Sequence, residues 1–356
     1  MALTKVRLGG FEPQYVGRRN LVINGAMKVA QRGTSETGIS TSGYYTVDRM
    51  RIASGNTAGR FTMTQESITD LSGFANAVKL DCTTADTSIA SNELVTIGTR
   101  IEGQDLQQLK KGTSDAEKVT VSFYVKGNAS ATYVLELYDA DNTRQVSKTF
   151  SVTTSWNRVS LTFDGDTTGA FTDDNNLSLL LQIWLHAGSD YTSGTLSTSW
   201  SSVTGANRVV GISSFFDSTD RTFFLTGLQM EIGEQATPFE HRSFGEELQL
   251  CSRYFQKYTG EQQEWIYNEG NGATLKWWQL IFPNGTMRSS PSMSFSSGWT
   301  GGSAAGLSGT VSSMSCTTSP NRASCRTTFS ATGGSAYNIH HCDSFADDEC
   351  FMDAEL

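Results

Sequence analysis

Val119-Thr120-Val121-Ser122-Phe123-Tyr124-Val125-Lys126 is the stretch that sets the reading of the chain. Its apolar residues fall at every second position, so in an extended segment Val119, Val121, Phe123 and Val125 share one face. The alternation returns in Tyr133, Leu135 and Leu137, in Val159, Leu161 and Phe163, and in Leu179, Leu181, Ile183 and Leu185. Gly127-Asn128 and Asp139-Ala140-Asp141-Asn142 lie between these runs and supply turn chemistry. Two antiparallel sheets packed on their apolar rows satisfy the pattern, which predicts an all-β sandwich.

Strand signals continue outward from this block. Strands are predicted over 20–25, 44–52, 61–66, 77–82 and 93–102, one helical turn over 104–109, and a closing strand over 222–231. Residues 33–43, rich in Gly, Ser and Thr, read as a loop. Leu248, Cys251, Tyr254, Phe255 and Tyr258 fall at helical spacing behind Glu246-Glu247, predicting a helix over 246–258. The remainder is again β-like. The chain therefore divides into an N-terminal arm (1–19), the sandwich (20–243) and a smaller C-terminal part of one helix and a β-rich distal domain (244–356).

Charged residues make up 18% and hydrophobic residues 37% of the 356 positions, which leaves the Gly, Ser, Thr and Asn of a turn-rich protein. The net charge of −9 argues against a nucleic-acid partner, since phosphate binding relies on clustered Lys and Arg. No window of about 20 apolar residues predicts a membrane-spanning helix. Met1-Ala2-Leu3-Thr4-Lys5-Val6 lacks the apolar core of a signal peptide, so the expectation is synthesis in the cytoplasm without export or membrane insertion. Free thiols are then the default for the six Cys, and the state of Cys316, Cys325, Cys342 and Cys350 stays open.

Enzyme signatures are missing: the sequence holds no G-x-S-x-G elbow, Walker loop or H-E-x-x-H. A non-enzymatic protein is expected, although glycoside hydrolysis needs only two placed carboxylates. The face opposite the inward rows carries Tyr124, Lys126, Glu136, Tyr138, Arg158, Gln182, Trp184 and His186. Aromatic planes among hydrogen-bonding groups suit sugars, whose C–H faces stack on rings while polar groups fix the hydroxyls. The competing reading is a face packed on a neighbouring subunit or loop. A second aromatic concentration holds Trp265, Tyr267, Trp277, Trp278 and Trp299. Adjacent strand residues point to opposite faces, so one of Trp277 and Trp278 is expected outward. The glycan-binding candidates are Tyr124, Glu136, Tyr138, Gln182, Trp184, His186, Trp277 and Trp278. His340, His341 and Cys342 with the neighbouring Cys offer zinc-type ligands, but without a paired spacing that predicts a metal. Calcium is weighed at Asp139, Asp141 and Asn142, or at Asp164 and Asp166, where turn chemistry is a sufficient explanation. No other cofactor is expected.

Several strings are less generic. Arg19-Asn20-Leu21-Val22-Ile23-Asn24-Gly25-Ala26-Met27, Tyr45-Thr46-Val47-Asp48-Arg49, Ile101-Glu102-Gly103-Gln104-Asp105-Leu106, Leu228-Gln229-Met230-Glu231-Ile232-Gly233, Thr237-Pro238-Phe239-Glu240 and Cys251-Ser252-Arg253-Tyr254-Phe255 span most of the sequence. Together they resemble a family of bacteriophage virion proteins, mostly tail fibre, tail or carbohydrate-binding-like structural proteins. The resemblance implies a jelly-roll-like sandwich, a homotrimeric virion appendage and a role at the host surface, with bacterial surface polysaccharide as partner. Residues 1–17, including Leu3, Thr4, Lys5 and Val6, resemble the tips that anchor phage fibres to other virion proteins. A purely structural head fibre or capsid decoration, and a polysaccharide-degrading tailspike, are the alternatives.

Overall fold

The alternating runs form strands, and their inward rows close a dry interior. A computed structural model describes residues 18–259, 263–268, 273–282, 284–295, 300–302, 308–332, 339–343 and 349–356. The chain is all-β: among the described residues a six-stranded and a seven-stranded antiparallel sheet form the jelly-roll-like sandwich. The six-stranded sheet runs, edge to edge, Ser35–Ile39, Arg60–Ser67, Asn76–Thr84, Thr222–Ile232, Val119–Gly127, Asn157–Phe163. The seven-stranded sheet runs Ser201–Ser202, Arg144–Val152, Ala131–Asp139, Leu177–Ala187, Leu94–Glu102, Arg51–Gly55, Gly43–Tyr44. Val121, Phe123 and Val125 from the first, and Leu135, Leu181 and Ile183 from the second, are fully buried; Leu161, on an edge strand, is half-buried. Phe123 meets Phe150 edge to face at 5.1 Å, and Tyr133 meets Phe223 at 5.6 Å, so rings from both sheets interlock in this core.

Four local expectations are corrected. Residues 20–25 form a turn, not a strand. Asn24 and Met27 have positive φ, and Asn20 bonds to three backbone groups: its amide donates to Leu228 O, and its Oδ1 accepts from the N–H groups of Val22 and Met230. A Cβ on Gly25 would lie 2.0 Å from Leu228 O, so only glycine permits the turn to sit against that strand. Part of the expected 33–43 loop is the edge strand Ser35–Ile39. The expected 44–52 strand is broken over 45–50 between the strands Gly43–Tyr44 and Arg51–Gly55; within the break Arg49 takes φ 68°, and the Asp48 and Arg49 side chains are buried among partners. The helix covers Phe244–Ser252, with Ser243 capping it by accepting from Glu246 N–H. Phe255–Thr259 then leaves the helical pattern to pair with Glu349–Asp353.

By internal contacts the chain forms two units. The first contains residues up to Met27, Thr37–Gly43 and Arg51–His241; the second contains Lys28–Glu36, Tyr44–Met50 and Arg242–Leu356. Two short stretches assigned to the sandwich by sequence thus belong with the C-terminal unit. Buried charge knits that unit. Arg49 pairs with Glu355 and lies 3.4 Å over the Tyr254 ring, while Arg32 pairs with Asp353 at 3.0 Å and stacks 3.6 Å from Phe255. Its strands form the three-stranded sheet Phe255–Thr259, Glu349–Asp353, Ser292–Phe295 and a closed barrel. The barrel order is Gln263–Asn268, Ala273–Ile281, Arg322–Thr332, Ser308–Ser319, Thr300–Gly302, Ile339–Asp343.

Candidate functional site

Strand order divides the expected binding face. Val119–Gly127 pairs with Asn157–Phe163 and Thr222–Ile232, whereas Ala131–Asp139 pairs with Arg144–Val152 and Leu177–Ala187. Tyr124, Lys126 and Arg158 therefore lie on the outer face of the six-stranded sheet. Glu136, Tyr138, Gln182, Trp184 and His186 belong to the other sheet.

On the seven-stranded sheet most of the candidates are sealed. Glu136, Trp184 and His186 are buried beneath the 188–216 segment, which packs Val209, Tyr191, Leu196 and Ile212 against Trp184 and Val134. Glu136 accepts from Gln182 Nε2 at 2.6 Å, Trp184 Nε1 at 2.8 Å, and Arg208 Nε and Nη2, both at 2.8 Å. The guanidinium also lies 4.8 Å over Trp184 and 5.2 Å over Tyr138. Burial opposes the charge of Arg208, but the bonds it donates to Glu136 prevail and raise its pKa. His186 is held between Glu93 Oε2 and Ser214 Oγ, each at 2.8 Å. Gln182 reaches the floor of a shallow groove of about 210 Å³ beside Arg51, Thr96 and Arg100, with its amide already committed to Glu136. This set is an internally satisfied core network. The expectation that Glu136, Gln182, Trp184 and His186 meet a sugar is corrected accordingly, because a hydrogen-bonded group under a packed segment has nothing left to offer a ligand.

The six-stranded sheet carries a different constellation. Across its outer face Phe224 sits between Lys79 and Lys126, and in the next row Tyr124 sits between Thr226 and Arg158. Trp156, at the tight connection before Asn157–Phe163, meets Phe224 edge to face at 6.1 Å. Its indole N–H donates to Asp70 Oδ1 at 2.9 Å, and Asp70 also pairs with Lys126. These bonds, with Lys126 first, hold the exposed Asp70 carboxyl below its usual range. Lys126 Nζ lies 5.0 Å over Trp156 and 4.8 Å over Phe224. Phe74 continues the row, 5.3 Å from Tyr124 and 5.1 Å from Phe239, with His241 4.9 Å from Phe239. Gly227, at φ +62°, leaves the space Phe74 and Tyr124 fill, for a Cβ there would lie 2.8 Å from one ring and 2.9 Å from the other. The rings of Phe74, Tyr124, Trp156, Phe224 and Phe239 are half-buried, and His241 and Arg158 are exposed. This is a solvent-facing aromatic platform interleaved with cations.

Of the glycan-binding candidates described, Tyr124 belongs to the platform, together with Lys126 and Arg158 from the same expected face. Trp156 and Phe224 had a legible signal: Phe223-Phe224 in a strand sends one ring outward, and Trp156 stands in the polar turn Thr154-Ser155-Trp156-Asn157. Phe74 and Phe239 lie on connections and gave no periodic signal. Trp277 and Trp278 lie on the Ala273–Ile281 strand opposite Arg326 and Cys325; their side chains, Trp299 and the anchoring residues Leu3, Thr4, Lys5 and Val6 are outside the described residues. Among the described residues no three His, Cys, Asp or Glu side chains converge as a metal site.

Neither the scan of protein-family models nor the search of curated proteins finds a match to the chain. Solved structures do show likeness. The enzymatically active domain of bacteriophage CBA120 tailspike protein 4 is 10% identical with a TM-score of 0.33, covering 60% of this chain and 21% of that one. A family 11 carbohydrate-binding module from Clostridium thermocellum, in complex with a mixed-linked tetrasaccharide, is 10% identical with a TM-score of 0.28, covering 57% and 98%. The CBM22-1 xylan-binding domain of Paenibacillus barcinonensis Xyn10C is 14% identical with a TM-score of 0.27, covering 58% and 99%. The chain thus spans about a fifth of the tailspike chain. Likenesses of this size carry no inference about what the present chain binds or cleaves.

Proposed function

We propose that this chain is a non-enzymatic fibre subunit of a phage particle, and that it binds host surface glycan through the aromatic platform of the six-stranded sheet. The platform is the observation that carries the binding reading: half-buried rings offer apolar surface for sugar C–H groups, and Lys79 and Lys126, each ion-paired with an aspartate, and Arg158 stand among them with charged groups at the solvent-facing surface. Asp70 and Asp81 on this face are each paired with a lysine, unlike the acid and base of a glycosidase, which act on opposite sides of one bond. The particle reading rests on the family resemblance, with residues 1–17 as the attachment arm and three copies per fibre. Linking three weak sites raises avidity by roughly 10²–10⁴.

A glycan array with the purified chain tests the binding. Trp156→Ala and Phe224→Ala are each expected to weaken the best-bound glycan by about tenfold, the equivalent of one lost ring contact. A blank array, or variants that bind like the parent, removes the glycan partner and leaves an architectural fibre. Sizing of host polysaccharide after incubation separates the tailspike alternative, since shortened chains would replace the non-enzymatic reading.

A further inference from the structure

The two loops weighed for calcium meet in space, and a side chain stands where the ion would be. Lys111 Nζ lies 2.6 Å from Asp139 Oδ2, 3.1 Å from Asp166 Oδ2, 2.8 Å from Thr168 O and 2.7 Å from Gly169 O. Its side chain is 4% exposed, against 0% for Asp139 and 4% for Asp166. Phe171 and Trp200 wall the site, their ring centres 5.2 and 5.6 Å from the nitrogen.

The two carboxylates have further partners besides the lysine. Asn142 N–H and its side-chain amide donate to Asp139. Arg144 donates to both oxygens of Asp166, at 2.6 and 2.9 Å, and Thr168 N–H to Oδ1. Burial raises the Asp166 pKa, but the bonds from Arg144 and Lys111 outweigh it and the group lies below the ordinary carboxylate range. Gly112, at φ +84°, brings the lysine-bearing loop within reach: a Cβ there would lie 2.6 Å from Ala170 N.

We infer that Asp139, Asp166, Thr168 O and Gly169 O form a cation site whose resident cation is the Lys111 ammonium, and that removing this side chain turns the position into a Ca²⁺ site. Two carboxylates and two carbonyls are hard oxygen ligands of the kind Ca²⁺ takes, and an ammonium satisfies the same acceptors with its three N–H donors. The chain's own charge therefore fastens the 164–172 loop to the 139–144 turn, and the sandwich holds together without a divalent ion. Lys111, Asp166, Phe171 and Trp200 also line a small depression at the surface of the sandwich. This inference is independent of what the platform binds.

The test compares the full chain with its Lys111→Ala variant in EDTA, in Ca²⁺ and in Tb³⁺. The parent should keep one Tm with chelator or with millimolar Ca²⁺. Lys111→Ala should melt about 10 °C lower in EDTA, the size expected when one partner of a buried charge cluster is lost. Ca²⁺ should restore at least half of that drop. Tb³⁺ should show indole-sensitised emission in Lys111→Ala that is absent in the parent, displaced by Ca²⁺, and lost in Lys111→Ala combined with Trp200→Phe. A variant that folds but takes up neither ion overturns the inference, as does a parent whose Tm falls in EDTA. If Lys111→Ala does not fold in EDTA, refolding with Ca²⁺ supports it, and failure in both conditions counts against it.

Discussion

Replacing Arg208 by Ala probes most directly how the outer face of the seven-stranded sheet is built. The guanidinium makes two 2.8 Å bonds to Glu136, whose side chain is fully buried, while that of Arg208 is 16% exposed. Without it the carboxylate keeps only its bonds from Gln182 and Trp184 and has lost its counter-charge. Breaking a buried pair from one side costs about 3–5 kcal/mol, and partial exposure of Arg208 places this case near 3. For a unit of this size that is a fall in Tm of about 6–12 °C, readable by thermal circular dichroism. Replacing both partners, as Arg208→Met with Glu136→Leu, should recover much of the loss, because the penalty lies in the stranded charge rather than in the missing attraction. A loss below about 1 kcal/mol for Arg208→Ala would refute the reasoning and show that Glu136 is hydrated. In that case the constellation around Trp184 would return as a ligand site.

Asp48 in the C-terminal unit has its pKa raised to about 6, chiefly by burial, against bonds from Gln31 and the charge of Arg32. The folded unit then holds a proton that the unfolded chain releases above about 4, so the contribution of Asp48 to stability is full below that pH and about 3 kcal/mol of it is lost as pH rises through about 6. Urea midpoints across that interval should show this slope, and Asp48→Asn should flatten it. Asn20→Ala removes the partner of two buried N–H groups and one carbonyl, an expected loss of about 3 kcal/mol by denaturant titration. Cys82 and Cys350 have thiols pushed up to about 11 and about 12 by burial, so iodoacetamide near neutral pH should label them only as fast as the protein opens.

Three of the strings that carried the family resemblance make structural bonds to one another. Glu240 accepts from the backbone N–H groups of Arg19 and Asn20, Gln229 Oε1 accepts from Glu240 N–H, and Glu231 accepts from Thr237. Asn20, Gln229, Glu231, Thr237 and Glu240 thus form one knot that fixes the 20–27 turn to the closing strand. Such residues announce a fold and are silent about a ligand, which is why the resemblance pointed to an architecture more surely than to a binding face.

Alternation in 119–185 was enough to establish strands, their inward rows and a two-layer body, because pleating is local: a side chain's direction depends only on its place along its own strand. Where the outward residues end up is not local. Tyr124 and Glu136 sit on consecutive strands yet on different sheets, and the 188–216 segment, which starts more than fifty residues after Glu136, seals Glu136 and Trp184 while Trp156 stays half-buried on the other sheet. Strand order and coverage are set by contacts between distant parts of the chain. Only the tertiary structure could therefore convert one expected sugar face into a sealed ion-pair network on one sheet and an open aromatic platform on the other.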